Sequence, residues 1–233
     1  RILEYIVNII QDSYRYYKYS SLAIMPKKTK NLNAFLRASI HSIERAFSLK
    51  NTRKPFGIEL VQRLNDLKSY TNNGNYSFEL TQYNRAIRDH KIFHDQKHSL
   101  NNDFLKSTKE YKHINREGYL SVVNSRHSIR NFGDNLINEK DIFKALVIAK
   151  NNTPSVCNRQ SWSIDIISNQ SLVKKVLDLQ NGNKGIEGIQ QVLVVKVDLE
   201  YFFGTEERKQ PFIDGGIFLM SIYIIELIVP GQK

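Results

Sequence analysis

The sequence predicts an α+β fold, a sheet flanked by helices and preceded by an N-terminal helical extension. Three observations predict it. Apolar residues recur at helical spacing from Ile2 to Ile87, helical and extended patterns alternate after Asn138, and Val192 to Val197 is a β-branched run of strand length. At 233 residues and 41% hydrophobic content the chain can build a substantial core.

The front third reads as helices. Ile2, Leu3, Ile6, Val7, Ile10 and Tyr14 share one helical spacing; Leu32, Phe35, Leu36, Ile40, Ile43 and Phe47 share a second; Ile58, Val61, Leu64 and Leu67 share a third. Asn72-Asn73-Gly74-Asn75 is a turn cluster, and a further helix follows through Phe78, Tyr83 and Ile87. The polar stretch from His94 to Asn102 marks a boundary. The expected division is a helical extension over residues 1–100, a linker over 101–120 and a second domain over 121–233. In that second domain Asn138 caps a helix through Ile142, Leu146 and Val147 that ends before Pro154. Residues 163–168 read as a strand, Leu172 to Leu179 as a helix, and Val192 to Val197 as a buried strand. Pro211 suits the first turn of a last helix. The longest apolar stretch, Ile217 to Val229, is interrupted by Ser221 and Glu226 and falls short of the ~18–20 apolar residues a membrane span needs. It reads as a buried core helix. No basic-then-apolar leader opens the chain, and the lone Cys157 has no internal disulfide partner, which points to a reducing cytoplasm.

The net charge of +11 is unevenly placed. Residues 1–120 carry 21 Lys and Arg against 11 Asp and Glu, whereas residues 121–233 carry 13 against 12. A basic half suits contact with nucleic acid, anionic lipid or acidic polysaccharide. No zinc-finger spacing or aromatic RNA-binding strand pattern accompanies it, which argues against a nucleic-acid partner and leaves a solvated basic surface. His90, His94 and His98 recur every four residues and would stack on one helical face; Lys91 and Lys97 oppose a metal there, so the face reads as a polar helix surface or linker.

Chemistry concentrates in two segments. Arg126-His127-Ser128-Ile129-Arg130 offers two guanidinium forks suited to bidentate phosphate contacts, a hydroxyl between them, and an imidazole. Thr153-Pro154-Ser155-Val156-Cys157-Asn158-Arg159-Gln160-Ser161-Trp162 must turn at its proline, exposing backbone N–H groups beside Ser155, Asn158 and Gln160. Asn and Gln carry both donors and acceptors, which suits the mixed edge of a polar heteroaromatic ring. Cys157 invites a nucleophile reading, but a lone Cys is usually a small buried hydrophobe. Trp162 reads as a core or rim aromatic.

These two segments, with Ile213-Asp214-Gly215-Gly216-Ile217-Phe218-Leu219-Met220-Ser221, resemble the nitroreductase-like FMN-dependent oxidoreductases. The resemblance runs from about Ser121 to Ile225. The region before Ser121 resembles, more weakly, the extension on family members from surface-polysaccharide gene clusters, through His41-Ser42-Ile43-Glu44-Arg45-Ala46-Phe47-Ser48-Leu49 and Phe56-Gly57. The resemblance implies FMN at a homodimer interface, NAD(P)H as hydride donor, and a ping-pong reaction with an electron-poor acceptor such as a nitroaromatic or a quinone. It implies phosphate contacts from Arg126, Ser128 and Arg130, contacts to either end of the cofactor from His127, and ring contacts from Pro154, Ser155, Val156, Asn158 and Gln160. Asn183, after Gly182, is a further candidate. No protein acid, base or nucleophile is required.

In the family the helix matching Gly216 to Leu227 continues into a glycine-rich turn, further strand and helix elements and a late basic phosphate ligand. This chain stops at Ile228-Val229-Pro230-Gly231-Gln232-Lys233, so the expected domain is incomplete. Two alternatives to the oxidoreductase stay open at this point: a non-catalytic remnant of the family, and a basic module that binds an anionic polymer.

Overall fold

The computed structural model describes residues 2–22, 29–47, 54–73, 77–95, 115–183 and 186–226. Eight α-helices and two strands are found among them: α1 (Ile2–Tyr19), α2 (Thr29–Phe47), α3 (Ile58–Ser69), α4 (Ser77–Asp95), α5 (Arg116–Ser125), α6 (Glu139–Asn152), β1 (Trp162–Ile167), α7 (Gln170–Asp178), β2 (Val192–Val197) and α8 (Gln210–Glu226). The fold is α+β, mostly helical with a small antiparallel sheet. The chain forms two compact units. The first comprises residues 1–114, 155–161 and 198–211, and the second 115–154, 162–197 and 212–233.

The first unit is built on helical stripes. Leu32, Leu36, Ile40 and Ile43 of α2 pack with Leu64 and Leu67 of α3 and with Tyr83 and Ala86 of α4, and all are buried. These positions fall at the three- and four-residue spacings that bring side chains onto one helix face. The Tyr83 hydroxyl meets Asn65 Oδ1 at 2.5 Å, which satisfies its polar end where burial raises its pKa. α1 departs from the simple expectation. It is helical as its spacing predicts, yet Ile2, Leu3, Ile6, Val7, Ile10 and Tyr14 are exposed. The helix is tied down at its C-terminal end, where buried Tyr16 donates to the Gly204 carbonyl at 2.6 Å and Ser21 N–H donates to the Phe202 carbonyl at 2.8 Å. Burial, reinforced by the Glu207 carboxylate, pushes the Tyr16 hydroxyl up to about 12. His90 and His94, one turn apart on α4, both point Nε2 at the Phe56 carbonyl, at 2.6 and 2.9 Å. His98 lies outside the described residues. Among those residues no group of three or more His, Cys, Asp or Glu could hold a metal ion.

The second unit is an antiparallel pair of strands, joined through α7 and packed against helices. β1 and β2 run antiparallel, with Trp162 opposite Val197 and Ile167 opposite Val192. Alternation puts Trp162, Ile164, Leu193 and Val195 on one face, against Leu146 and Ala149 of α6 and Phe218, Ile222 and Ile225 of α8. On the other face Lys196 reaches Asp165 at 2.8 Å. The helix starts are capped: Asn115, Asn138 and Asn169 accept backbone N–H bonds from Gly118, Lys140 and Leu172. Residues 116–120, assigned from sequence to a linker, are the first turns of α5.

Two expectations about burial are corrected. β2 is half-buried rather than buried, because it sits in a two-stranded sheet. The last helix is buried on one face only, and residues 227–229 of the predicted apolar stretch lie outside the described residues. Its Asp214, Gly215, Phe218 and Ile222 are buried, whereas Phe212, Ile213, Ile217, Leu219 and Met220 are exposed. α8 approaches β2 so closely that a Cβ added at Gly215 would stand 2.9 Å from Val197 Cγ2. No described helix is long and apolar enough to cross a membrane.

Candidate functional site

The arginine-rich segment belongs to the second unit and leaves α5 at Arg126, whose backbone turns extended. Arg126, His127, Ser128 and Arg130 are all exposed. Two contacts hold the strand-like run in place: Tyr223 of α8 donates to the His127 carbonyl at 3.0 Å, and His127 Nδ1 sits 2.8 Å from the Ser125 carbonyl. A carbonyl accepts only, so His127 Nδ1 carries a proton. Neither the Arg126 nor the Arg130 guanidinium makes an ion pair or hydrogen bond among the described residues. Two unneutralised planar forks with a hydroxyl between them are a donor set for a phosphate.

The proline segment is divided. Thr153 closes α6, its N–H and hydroxyl both donating to the Ala149 carbonyl at 2.9 and 2.7 Å, and Pro154, which has no N–H to donate, follows as an exposed residue of the second unit. Ser155 to Ser161 belongs to the first unit. There the backbone takes a left-handed path at Cys157, Asn158 and Gln160, with φ of 48°, 51° and 48°. Asn tolerates this region, whereas a Cys or Gln side chain costs roughly 1–2 kcal/mol there. The loop is closed by Asn158 N–H to the Ser155 carbonyl at 3.0 Å and by Gln160 N–H to Ser155 Oγ at 2.9 Å. Ser155 is therefore a loop-building acceptor in addition to a candidate ring contact. The Asn158 side chain is exposed; those of Val156, Cys157 and Gln160 are half-buried, and Cys157 is a free thiol.

Sequence reasoning missed the residue that anchors this loop. Arg159 is completely buried, with its guanidinium carbon 5.1 and 4.7 Å from the ring centroids of Phe202 and Phe203. It donates to the Tyr201 carbonyl at 2.6 Å and to the Val156 carbonyl at 3.2 Å, and pairs with both oxygens of Glu207. Glu207 in turn accepts the N–H groups of Phe203 and Gly204 at 3.0 and 3.1 Å. Burial pushes the Glu207 carboxyl up, but hydrogen bonds from Arg159 and those two amides, with the guanidinium charge, outweigh it and hold the carboxyl below its ordinary range. Nothing in the local pattern marks one Arg in an irregular loop as buried. The only sequence signal was its place between Asn158 and Gln160.

Asn183 ends the short helical turn after α7, and its side-chain amide donates to the Leu177 carbonyl at 3.4 Å. That contact closes the end of α7.

No curated protein and no solved structure matches this chain. Residues 123–225, which contain the arginine-rich segment, both strands and α6 to α8 up to Ile225, match the family model described as the Nitroreductase family.

Proposed function

We propose that the protein is an FMN-dependent oxidoreductase that takes a hydride from NAD(P)H and reduces an electron-poor small molecule, such as a nitro compound or a quinone, in ping-pong order. The oxidoreductase class rests on the family match over residues 123–225. The observation that carries the cofactor is the pair of exposed, unneutralised guanidiniums at Arg126 and Arg130, whose donor chemistry fits a phosphate. Arg126, Ser128 and Arg130 take the phosphate, and His127 contributes to either the phosphate or the ring contacts. Pro154, Ser155, Val156, Asn158 and Gln160 take the ring, with the side-chain amides of Asn158 and Gln160 as its donors and acceptors. Asn183 is a weaker member of the set, because its amide already serves Leu177. Bound FMN supplies two-electron carrier chemistry, so the protein's part is to bind, orient and shield.

The test is an absorbance spectrum of protein reconstituted with FMN and desalted, followed by anaerobic NADH and then NADPH. Retained flavin bands that bleach with either nucleotide are the expected result. Folded, colourless protein overturns the reading. A charge-assisted contact contributes about 1.5–3 kcal/mol, so Arg126→Ala with Arg130→Ala lowers FMN affinity at least about a hundredfold. Both side chains are exposed, so the variant's circular dichroism stays that of the parent.

A homodimer and a cytoplasmic setting belong to the same proposal. The first is supported by the exposed apolar face of α8, where Phe212, Ile213, Ile217, Leu219 and Met220 are 41–62% exposed. The second is supported by the lone free Cys157. Leu219→Glu with Met220→Glu is expected to convert the dimer to a monomer in sedimentation velocity. A wild-type chain that sediments as a monomer would remove the dimer from the proposal.

A further inference from the structure

The loop that carries Asn158 and Gln160 is bound to helices of the extension. Arg37 of α2 sends Nη1 to the Arg159 carbonyl at 2.8 Å, while its Nε and Nη2 reach Glu79 Oε1 of α4 at 3.1 and 2.8 Å. Glu79 is buried, at 5% exposure, and fixes the guanidinium's direction. The carbonyl that Arg37 grips lies between the two left-handed residues Asn158 and Gln160. A loop with three non-glycine residues at positive φ does not hold that path by its own preference and needs external restraint. The restraint comes from both sides: the Arg159 side chain is locked by Glu207, and its carbonyl is locked by Arg37. The Phe35 ring, two residues before Arg37, stacks on Phe203 at 4.5 Å.

We propose that Arg37, steered by Glu79, is a positioning residue by which the helical extension holds the Ser155–Ser161 loop in the left-handed conformation that presents the Asn158 and Gln160 amides to the flavin ring. The conformational half stands on the geometry alone; the ligand half rests on the FMN reading.

The test uses Arg37→Met together with Glu79→Gln in the full chain, so that no buried carboxylate is left without its partner. Hydrogen exchange is read first on the protein without added FMN. Faster exchange at Asn158, Arg159 and Gln160, with α3 amides unchanged, is expected; unchanged loop exchange overturns the clamp whether or not flavin binds. FMN titration then compares the clamp variant in two backgrounds, the wild-type chain and a chain carrying Asn158→Gly and Gln160→Gly, where glycine adopts the same φ without a side-chain amide. Affinity falls about tenfold in the wild-type background and less than about twofold in the glycine background, since residues acting through one another are not additive. Equal losses in both backgrounds mean a general structural effect and overturn the positioning role. A wild-type chain that retains no FMN overturns the flavin reading, and the exchange result still decides the clamp.

Discussion

Arg159→Met is expected to destabilise the first unit by about 3–5 kcal/mol, because breaking a buried ion pair leaves its partner charge without compensation. The Arg159 side chain is fully buried, and that of Glu207 is 15% exposed. Without the guanidinium, the Tyr201 carbonyl loses the Arg159 donor, the Val156 carbonyl loses one of the two bonds it accepts from Arg159, and the Glu207 carboxylate keeps the N–H groups of Phe203 and Gly204. Urea unfolding followed by far-ultraviolet circular dichroism measures the loss, and a change under about 1 kcal/mol would show that the pair is not held as described. The same pair sets an acid dependence. The folded-state pKa of Glu207 lies below its ordinary 4.5, so its contribution is fully present above pH 4.5 and is lost as pH falls through the folded value. Glu207→Gln removes that limb of the stability profile. An unaltered acid limb in Glu207→Gln would assign it to other carboxylates.

The residues whose positions follow from periodicity were legible in the sequence, and those held by non-local partners were not. The stripes of α2, α3 and α4, the Asn138 cap, the strand at Val192–Val197 and the place of Pro211 in α8 all come from local rules of spacing and capping. α5 was hidden because its short apolar pattern follows a polar stretch, although Asn115 before Glu117 is a start signal. Burial was harder to read than element type. α1 and α8 are as apolar as core helices, yet each leaves apolar side chains exposed, since exposure depends on how many neighbours the fold supplies rather than on the helix's own sequence. The proline segment shows the same division. Pro154 announces a turn, but the left-handed run after it and the burial of Arg159 depend on Arg37, Glu79 and Glu207, residues 122, 80 and 48 positions away in sequence. The division of the candidate residues between the two units was equally invisible. The arginine-rich segment and the Ser155–Ser161 loop fall in different units, because the loop's backbone partners come from α2 and from residues 198–207.

Phe218→Ala is the corresponding prediction for the second unit, and a single reporter reads it. Phe218 is 2% exposed and its ring lies on Trp162 at 4.4 Å between centroids and 11° between planes, joining α8 to β1. Truncating a buried aromatic costs about 3–5 kcal/mol through lost contacts and the cavity left behind. Here the cavity would open beside the Trp162 indole N–H, a buried donor with no partner among the described residues. Water entering it would satisfy that donor, which places the expected loss near the lower end, about 3 kcal/mol. Trp162 is the chain's only tryptophan, so its emission reports this site alone and should move to the red as water arrives. Ile222→Ala supplies the contrast. Ile222 is buried in the same cluster, at 4% exposure, and its truncation costs a comparable 2–5 kcal/mol. The Trp162–Phe218 stack survives that change, so emission stays near the parent wavelength. Identical emission from the two variants would mean that the ring stack does not shield Trp162, and an unshifted, stable Phe218→Ala protein would place the Phe218 ring outside the core.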